Sequence, residues 1–177
     1  MTPTALAISG SPSATSKSRR LLLHALDRLR TDGIEGRLLE LCDIPADALL
    51  GRTRSARIDE ALTALAASRI VIVGTPVYRA SFSGLLKVFL DLLPQDALAG
   101  KAVIPVATGG SLAHQLVLDH ALRPLAASIG GVTVASGVYG TDAQFAADAI
   151  DPLLVQRLDR AVVEAVGLAA QLSSISR

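Results

Sequence analysis

The chain has 177 residues, with 17 basic and 16 acidic side chains and a net charge of +1. This balance argues against a nucleic-acid-binding surface and against a charged tail. No apolar run approaches the ~20 residues of a membrane span, and the first residues do not resemble a secretory signal. Because Cys42 is the single cysteine, an internal disulfide is excluded, and we expect one cytoplasmic domain over residues 1–177.

Along the chain, apolar runs typical of strands alternate with amphipathic stretches typical of helices. Leu22, Leu26 and Leu29 recur at the spacing of one buried helix face. The β-branched run Ile70-Val71-Ile72-Val73 is typical of a central parallel strand. The predicted strands cover residues 4–8, 36–41, 70–73, 102–107 and 132–136. The predicted helices cover residues 18–30, 58 to about 68, 83–93, 112–129 and 151–172.

Prolines and glycines set several of these boundaries. Gly74-Thr75-Pro76 should end the third strand. Pro105 lies inside the fourth predicted strand, although a proline cannot donate to a ladder of hydrogen bonds. Asp151 followed by Pro152 is a typical start for the last helix.

Five strands alternating with five helices predict a three-layer α/β structure with right-handed crossovers. Apolar strands and short loops favour an open, doubly wound parallel sheet with helices on both faces over a barrel, which needs eight such units. In such sheets ligands bind at the carboxyl ends of the strands. Three loops meet that criterion, at residues 9–19, 75–83 and 108–111. Since 50 % of the residues are apolar, we also expect some apolar surface to be buried between subunits.

The first of these loops predicts an anion-binding site. It contains Ser9, Ser11, Ser16, Lys17, Ser18 and Arg19. Free amides at a helix start, together with hydroxyls and cations, suit a bound anion. The loop lacks the second glycine and the lysine of a nucleotide P-loop, and it has one glycine where a dinucleotide fingerprint has three. A single terminal phosphate therefore fits better than a metal-bound triphosphate, and an ordinary capped polar loop is the simpler alternative.

The other two loops offer a place for a flat ring. The second contains Pro76, Val77, Tyr78 and Arg79, which combine a stiff backbone edge with an aromatic side chain. The third is Thr108-Gly109-Gly110-Ser111, in which glycine allows the backbone to approach a ligand closely. Tyr78 could equally cover the edge of the core, and the third loop could be only a tight turn.

The fourth predicted helix contains His120 and, four residues later, Pro124. A proline cannot donate to the carbonyl four residues back, so we expect a π-turn there, or a bend or restart at Pro124. No cluster of histidine, cysteine and carboxylate has metal-ligand spacing, and no nucleophile has a matching base. We therefore expect no metal and assign no catalytic acid, base or nucleophile.

Taken in order, these motifs resemble those of the NADPH-dependent FMN reductase family, which has a flavodoxin-like fold. The first loop is similar to the family's phosphate loop, and Thr75-Pro76-Val77-Tyr78 is similar to its ring-binding loop. The closest resemblance is to the subgroup that supplies reduced flavin to alkanesulfonate or methanesulfonate monooxygenases. Residues 83–94, 98–101, 107–114, 118–124 and 137–144 carry that resemblance. Arg79 stands where the broader family usually has Asn, although a basic residue is familiar there in the sulfonate subgroup. His120 stands where well-known members of the subgroup have Tyr.

The resemblance implies a flavin reductase that transfers a hydride from NADPH, or from NADH, to FMN. The serines of the first loop would hold the FMN phosphate, residues 76–79 would line the ring edge, and residues 108–111 would lie on its other side. Arg79 and Arg19 would be candidates for contact with NADPH. The helix with His120 and Pro124 would govern flavin release and assembly.

The partners implied by the resemblance are a flavin-dependent monooxygenase and further copies of the chain, as a dimer or a tetramer. Two alternatives stay open at this point. One is a quinone or azo reductase that keeps FMN bound, and the other is a flavodoxin-like electron carrier. The net charge of +1 argues against the carrier, because such carriers are usually strongly acidic.

Overall fold

The computed structural model describes residues 4–147 and 149–175, which form a sheet covered by helices. The strands are Ala5–Ser9 (β1), Gly36–Glu40 (β2), Ile70–Tyr78 (β3), Ser81–Phe82 (β4), Ala102–Gly109 (β5), Val132–Thr133 (β6) and Val138–Thr141 (β7). The α-helices are Lys17–Thr31 (α1), Ala46–Leu49 (α2), Ala56–Ala67 (α3), Gly84–Leu90 (α4), Arg123–Ser128 (α5) and Pro152–Ile175 (α6). None of the described helices combines the length and apolarity needed to cross a membrane.

The parallel strands lie in the order β2-β1-β3-β5-β6, and β7 pairs with β5 beyond the end of β6. With β6 and β7 sharing the last place, this is the 2-1-3-4-5 order of flavodoxin-like sheets. The short strand β4 pairs antiparallel with β3. The register places Ser9 beside Gly74 and Pro76 beside Thr108. The predicted parallel sheet is therefore confirmed, and the three loops of interest lie side by side at its carboxyl edge.

Helices cover both faces of the sheet, and alternate residues of each strand face opposite cores. Ile72 packs in one core with Leu22 of α1 and Leu158 of α6. Val73 packs in the other core, to which α4 contributes Phe89. Each fully buried side chain of this kind stabilises the folded chain by about 1.5–3 kcal/mol.

The predicted end of the third strand is wrong. Gly74-Thr75-Pro76 do not end it, because β3 continues to Tyr78. Its last residues pair with β5 on one side and with β4 in a hairpin on the other. Pro76 lies past Gly74, the last residue of β3 that pairs with β1. The segment predicted to bind the ring is therefore part of the sheet.

The predicted fifth strand, residues 132–136, is also wrong, because the structure replaces it with β6 and β7. Pro105 explains the interruption. The amide of Val134, just after β6, donates to the carbonyl of Val103 on β5 at 3.0 Å. Pro105 lies two residues after Val103 on β5, so its backbone faces the same side as that of Val103. Because Pro105 has no amide, the ladder stops there and resumes at β7.

The helix predicted over residues 112–129 is not continuous. It begins as a 3₁₀ turn, Leu112–His114, passes through a π-turn, Leu118–Leu122, and continues as α5. The amide of Arg123 donates to the carbonyl of Leu118, five residues back, which is the bond that defines a π-turn. The defect predicted near His120 and Pro124 is thus confirmed.

Two further predicted segments differ in detail. The segment over residues 42–54, for which no helix or strand was predicted, contains α2 after a 3₁₀ turn at Leu41–Asp43. The helix expected over residues 83–93 is shorter, since α4 ends at Leu90.

Candidate functional site

Ser83, the N-cap of α4, ties the first two loops together. Its amide donates to Thr75 Oγ1 at 2.9 Å, and its hydroxyl donates to the carbonyl of Gly10. The amide of Gly10 in turn donates to the carbonyl of Gly74 at 2.7 Å. A Cβ at Gly10 would lie 2.8 Å from Leu86 Cβ, so a larger residue would push the first loop away from α4. The two loops therefore have a fixed spacing.

The first loop ends in a capped helix start that leaves donors free. Ser16 is the N-cap of α1, and its Oγ accepts from the amide of Arg19 at 3.2 Å. The amides of Lys17 and Ser18 lie in the first turn, where a helix offers no backbone acceptor. Ser16 Oγ lies 3.3 Å from Ser18 Oγ, and Ser11 Oγ accepts from a backbone amide at 3.1 Å while keeping its own proton to donate. Two amides and the partly exposed Ser16 hydroxyl lie at the positive end of a helix dipole and fit one terminal phosphate, while Ser11 and Ser18 are 1 % and 0 % exposed.

Three other residues predicted for this loop already interact with other parts of the protein. Ser9 is buried within β1 between β2 and β3. Arg19 forms an ion pair with Glu40 at the end of β2. Lys17 Nζ lies 2.8 Å from Asp142 Oδ1, which follows β7. Both predicted cations are therefore partnered by carboxylates in this structure.

The end of β3 forms a tight hairpin with β4 rather than a loose loop. Arg79 and Ala80 have φ values of 51° and 62°, as in a two-residue type I′ turn, where residues other than glycine, asparagine and aspartate are uncommon. Pro76 and Val77 are partly buried, whereas Tyr78 is 51 % exposed. Strained turns of this kind occur often where proteins bind ligands. The hairpin thus offers a stiff backbone edge and an accessible aromatic ring.

Tyr139 of β7 holds the third loop. Its ring is buried, and its hydroxyl donates to the carbonyl of Ser111 at 2.7 Å. A Cβ at Gly109 would lie 2.5 Å from this hydroxyl, so glycine is required there. Burial raises the pKa of the Tyr139 phenol, and the charge of Asp142 raises it further, so the phenol stays protonated as a donor. Of the four residues predicted for this loop, Thr108 and Gly109 end β5, and Gly110 and Ser111 follow it on the exposed surface.

The π-turn lies beside the hairpin. The segment Leu118–Leu122 contacts β4, and the side chains of His120 and Pro124 are both exposed. His120 is therefore on the surface, in a segment next to the hairpin that is predicted to bind the ring.

Three residues of this edge were not among those predicted to form the site, namely Ser83, Tyr139 and Asp142. All three occur in segments that carry the family resemblance, at residues 83–94 and 137–144. Their contacts depend on which strand ends become neighbours, which local sequence does not show.

One group of metal-ligand side chains occurs among the described residues, formed by Glu40, Cys42 and Asp43 with ligand atoms within 4.8 Å of one another. Glu40 is already paired with Arg19. Burial raises the pKa of the Cys42 thiol, and the charges of Asp43 and Glu40 raise it further, which disfavours the thiolate that a metal needs. The chemistry of this group therefore argues against a metal centre.

The residues at the carboxyl edge fit FMN. The donors at the start of α1 suit its phosphate, and the exposed Gly110, where the nearest atom to an added Cβ lies 3.8 Å away, leaves the backbone of the third loop open to a flat ring. Pro76 lies in register with Thr108, so the two segments predicted to bind the ring are neighbouring strand ends. Fold and site together define a flavodoxin-like α/β protein with one loop suited to a phosphate and two neighbouring loops suited to a planar ligand.

The NADPH-dependent FMN reductase family matches residues 3–146, and the chain belongs to that family. The chain is 42 % identical over 157 residues to an FMN reductase (NADPH) of Pseudomonas putida KT2440, which covers 87 % of this chain and 80 % of the relative. It is 35 % identical over 159 residues to the NADH-dependent FMN reductase SfnF of Pseudomonas putida, with 86 % of each chain covered. A solved structure of apo NADH:FMN oxidoreductase (EMOB) has a TM-score of 0.87 and 41 % identity, covering 98 % of this chain and 91 % of that one.

These similarities confirm the predicted family, the flavodoxin-like fold and the activity of an NAD(P)H-dependent FMN reductase. They also confirm FMN with NADPH or NADH as the cofactors. The role of each residue around the flavin stays a prediction.

Proposed function

We propose that this flavin reductase binds FMN across the three loops and supplies the reduced flavin to a partner monooxygenase of the sulfonate-cleaving type. The observation that carries the binding site is the start of α1, where Ser16 caps the helix and the amides of Lys17 and Ser18 stay open. These donors lie on the same sheet edge as the third loop, where the exposed Gly110 leaves room for a ring.

The protein's part in the reaction is to position the two cofactors and to screen them. When bound, FMN supplies the ring that accepts a hydride from the nicotinamide, so no acid or base of the chain is required. Ser11, Ser16 and Ser18 hold the phosphate end. Residues 76–79 and 108–111 support the two sides of the ring, and Arg79 at the exposed hairpin is placed to contact the nicotinamide cofactor.

Delivery to a monooxygenase is supported by the motifs shared with the sulfonate subgroup and by the open character of the ring-binding edge. Tyr78 is 51 % exposed, and Arg79 and Ala80 next to it are exposed as well. A ring bound against such an edge can leave without unfolding any buried element. Leu112 and Leu116, which are 60 % and 54 % exposed just before the π-turn, support a homo-oligomer. We also propose that residues 1–177 act as one domain.

Steady-state kinetics with added flavin test this proposal. The purified protein should oxidise NADPH or NADH in proportion to free FMN, and FMN should separate from it on gel filtration. Ser16→Ala should raise KM for FMN about tenfold and leave KM for riboflavin nearly unchanged, because a hydrogen bond to a charged group is worth about 1.5–3 kcal/mol. Ser55→Ala is the matched control, since Ser55 caps α3 without a side-chain hydrogen bond.

Absence of turnover with FMN, FAD and riboflavin would overturn the proposal. Flavin that stays with the protein through gel filtration would instead favour a reductase that keeps FMN bound and reduces a quinone or an azo compound. For the partner, sulfite release by a sulfonate monooxygenase should depend on this protein, FMN and reduced nicotinamide together.

A further inference from the structure

The carboxylate of Asp142 lies at the meeting point of the first and third loops. Lys17 Nζ lies 2.8 Å from its Oδ1. A Cβ at Gly110 would lie 3.8 Å from its Oδ2. The charge of Asp142 also acts on the phenol of Tyr139, which holds Ser111. These independent contacts place one negative charge between the predicted phosphate loop and the predicted ring-binding loop.

The segment that carries Asp142 is held in place by its neighbours. Gln144 Oε1 accepts from the amide of Thr141 at 3.0 Å, which closes the turn around Asp142. Arg20 of α1 donates to the carbonyls of Ala146 and Ala149 at 2.8 and 2.9 Å, and its guanidinium lies 5.6 Å from the ring centre of Phe145. Asp142 is therefore a fixed feature of the site and not a loose surface acid.

Lys17 is the first residue of α1, between two of the serines predicted to hold the phosphate. A cation at this position suits a phosphate, yet its ammonium group is bound to Asp142. The carboxylate thus disfavours a bound phosphate in two ways, because it pairs with Lys17 and because its own negative charge repels the phosphate.

We propose that Asp142 weakens FMN binding by competing with the flavin phosphate for Lys17, and so sets how readily flavin leaves the site. This inference rests on the proposed phosphate site at the start of α1. The pair is accessible, since the side chains of Lys17 and Asp142 are 37 % and 58 % exposed, so an arriving phosphate can exchange with the carboxylate. The expected effect is that of one exposed charge, about three- to tenfold in the dissociation constant.

Titration of flavin fluorescence against the full-length protein tests the inference with FMN and riboflavin in parallel. Asp142→Asn should lower the dissociation constant of FMN about three- to tenfold and leave that of riboflavin nearly unchanged, because riboflavin has no phosphate. Lys17→Gln should remove most of this gain when it is combined with Asp142→Asn. Asp27→Asn is the control for net charge, since Asp27 is exposed on α1 and pairs with Arg30 away from the site.

The outcomes separate the two levels of the proposal. If the unmodified protein binds FMN no more tightly than riboflavin, the phosphate site itself is wrong. If it prefers FMN but Asp142→Asn weakens FMN binding, leaves it unchanged, or shifts both flavins equally, the phosphate site stands and the role of Asp142 is refuted. Thermal unfolding of each variant shows whether a change in affinity reflects a loss of folded protein.

Discussion

The contact between Gly109 and Tyr139 predicts that the cost in stability of a substitution at Gly109 depends strongly on whether Tyr139 is also substituted. In Gly109→Ala the new Cβ would lie 2.5 Å from the Tyr139 hydroxyl, about 0.9 Å closer than an ordinary contact. Tyr139 is 2 % exposed and donates to the Ser111 carbonyl at 2.7 Å. The ring therefore cannot move aside without breaking that hydrogen bond and disturbing the third loop.

The magnitudes follow from these contacts. We expect Gly109→Ala to lower the free energy of unfolding by about 2–3 kcal/mol, from overpacking together with the lost hydrogen bond. Tyr139→Phe alone should cost about 1 kcal/mol. In the double variant the hydroxyl is gone, and the nearest remaining contacts of the new Cβ are Val77 Cβ at 3.4 Å and the ring carbon Cζ at 3.5 Å. The double variant should therefore cost about 1 kcal/mol, well below the sum of the single costs.

Urea denaturation of the flavin-free protein, followed by far-UV circular dichroism, measures all three variants. Gly110→Ala is the matched control, because its nearest non-neighbouring atom is Asp142 Oδ2 at 3.8 Å and no overlap is expected. Additive costs to within about 0.5 kcal/mol, or a loss in Gly110→Ala as large as in Gly109→Ala, would refute the reasoning.

Two further predictions concern buried or bonded charges away from the flavin. Lys101 Nζ donates to the carbonyls of Ala66 and Ser68 at 3.1 and 2.7 Å, so Lys101→Met should lower the free energy of unfolding by about 1–3 kcal/mol, measured with urea. Burial alone would raise the pKa of Glu164, but hydrogen bonds from Ser136 outweigh burial and lower this pKa. The ionised carboxylate therefore stabilises the folded state at pH values above the ordinary glutamate pKa of about 4.3. Glu164→Gln should therefore be less stable than the unmodified protein at neutral pH, and the difference in urea midpoint should shrink as the pH falls below about 4; a constant difference would contradict this.

Local sequence was sufficient for the elements whose ends are set by their own residues. Ser16 begins α1 as its N-cap, and Asp32 and Gly33 end it, with Gly33 at a φ of 74°. Asp151 Oδ1 accepts from the amides of Leu153 and Leu154, as expected for the start of α6. These signals act within one turn of helix, so the sequence carries them directly.

Other boundaries depend on neighbours that are distant in sequence. Strand β3 extends past Gly74-Thr75-Pro76 because β5 and β4 pair with its last residues. The roles of Tyr139 and Asp142 arise because β7 lies beside β5, which brings them to loops about 30 and 125 residues earlier in the chain. Sequence periodicity does not reveal this pairing. Tyr139 and Asp142, which connect the loops of the site, were therefore not predicted from the sequence.

Two prolines that look unrelated in sequence have connected consequences at the edge of the sheet. In a regular parallel ladder the amide of residue 105 would donate to the carbonyl of Val134, and Pro105 cannot do so. Arg123 Nη1 donates to that carbonyl instead, at 2.6 Å, and Nη2 donates to the carbonyl of Ala135 at 2.7 Å. Arg123 immediately precedes Pro124 and closes the π-turn, and one inserted residue rotates the rest of a helix by about 100°. The residue that closes the π-turn therefore also replaces the hydrogen bond that the proline in β5 removes.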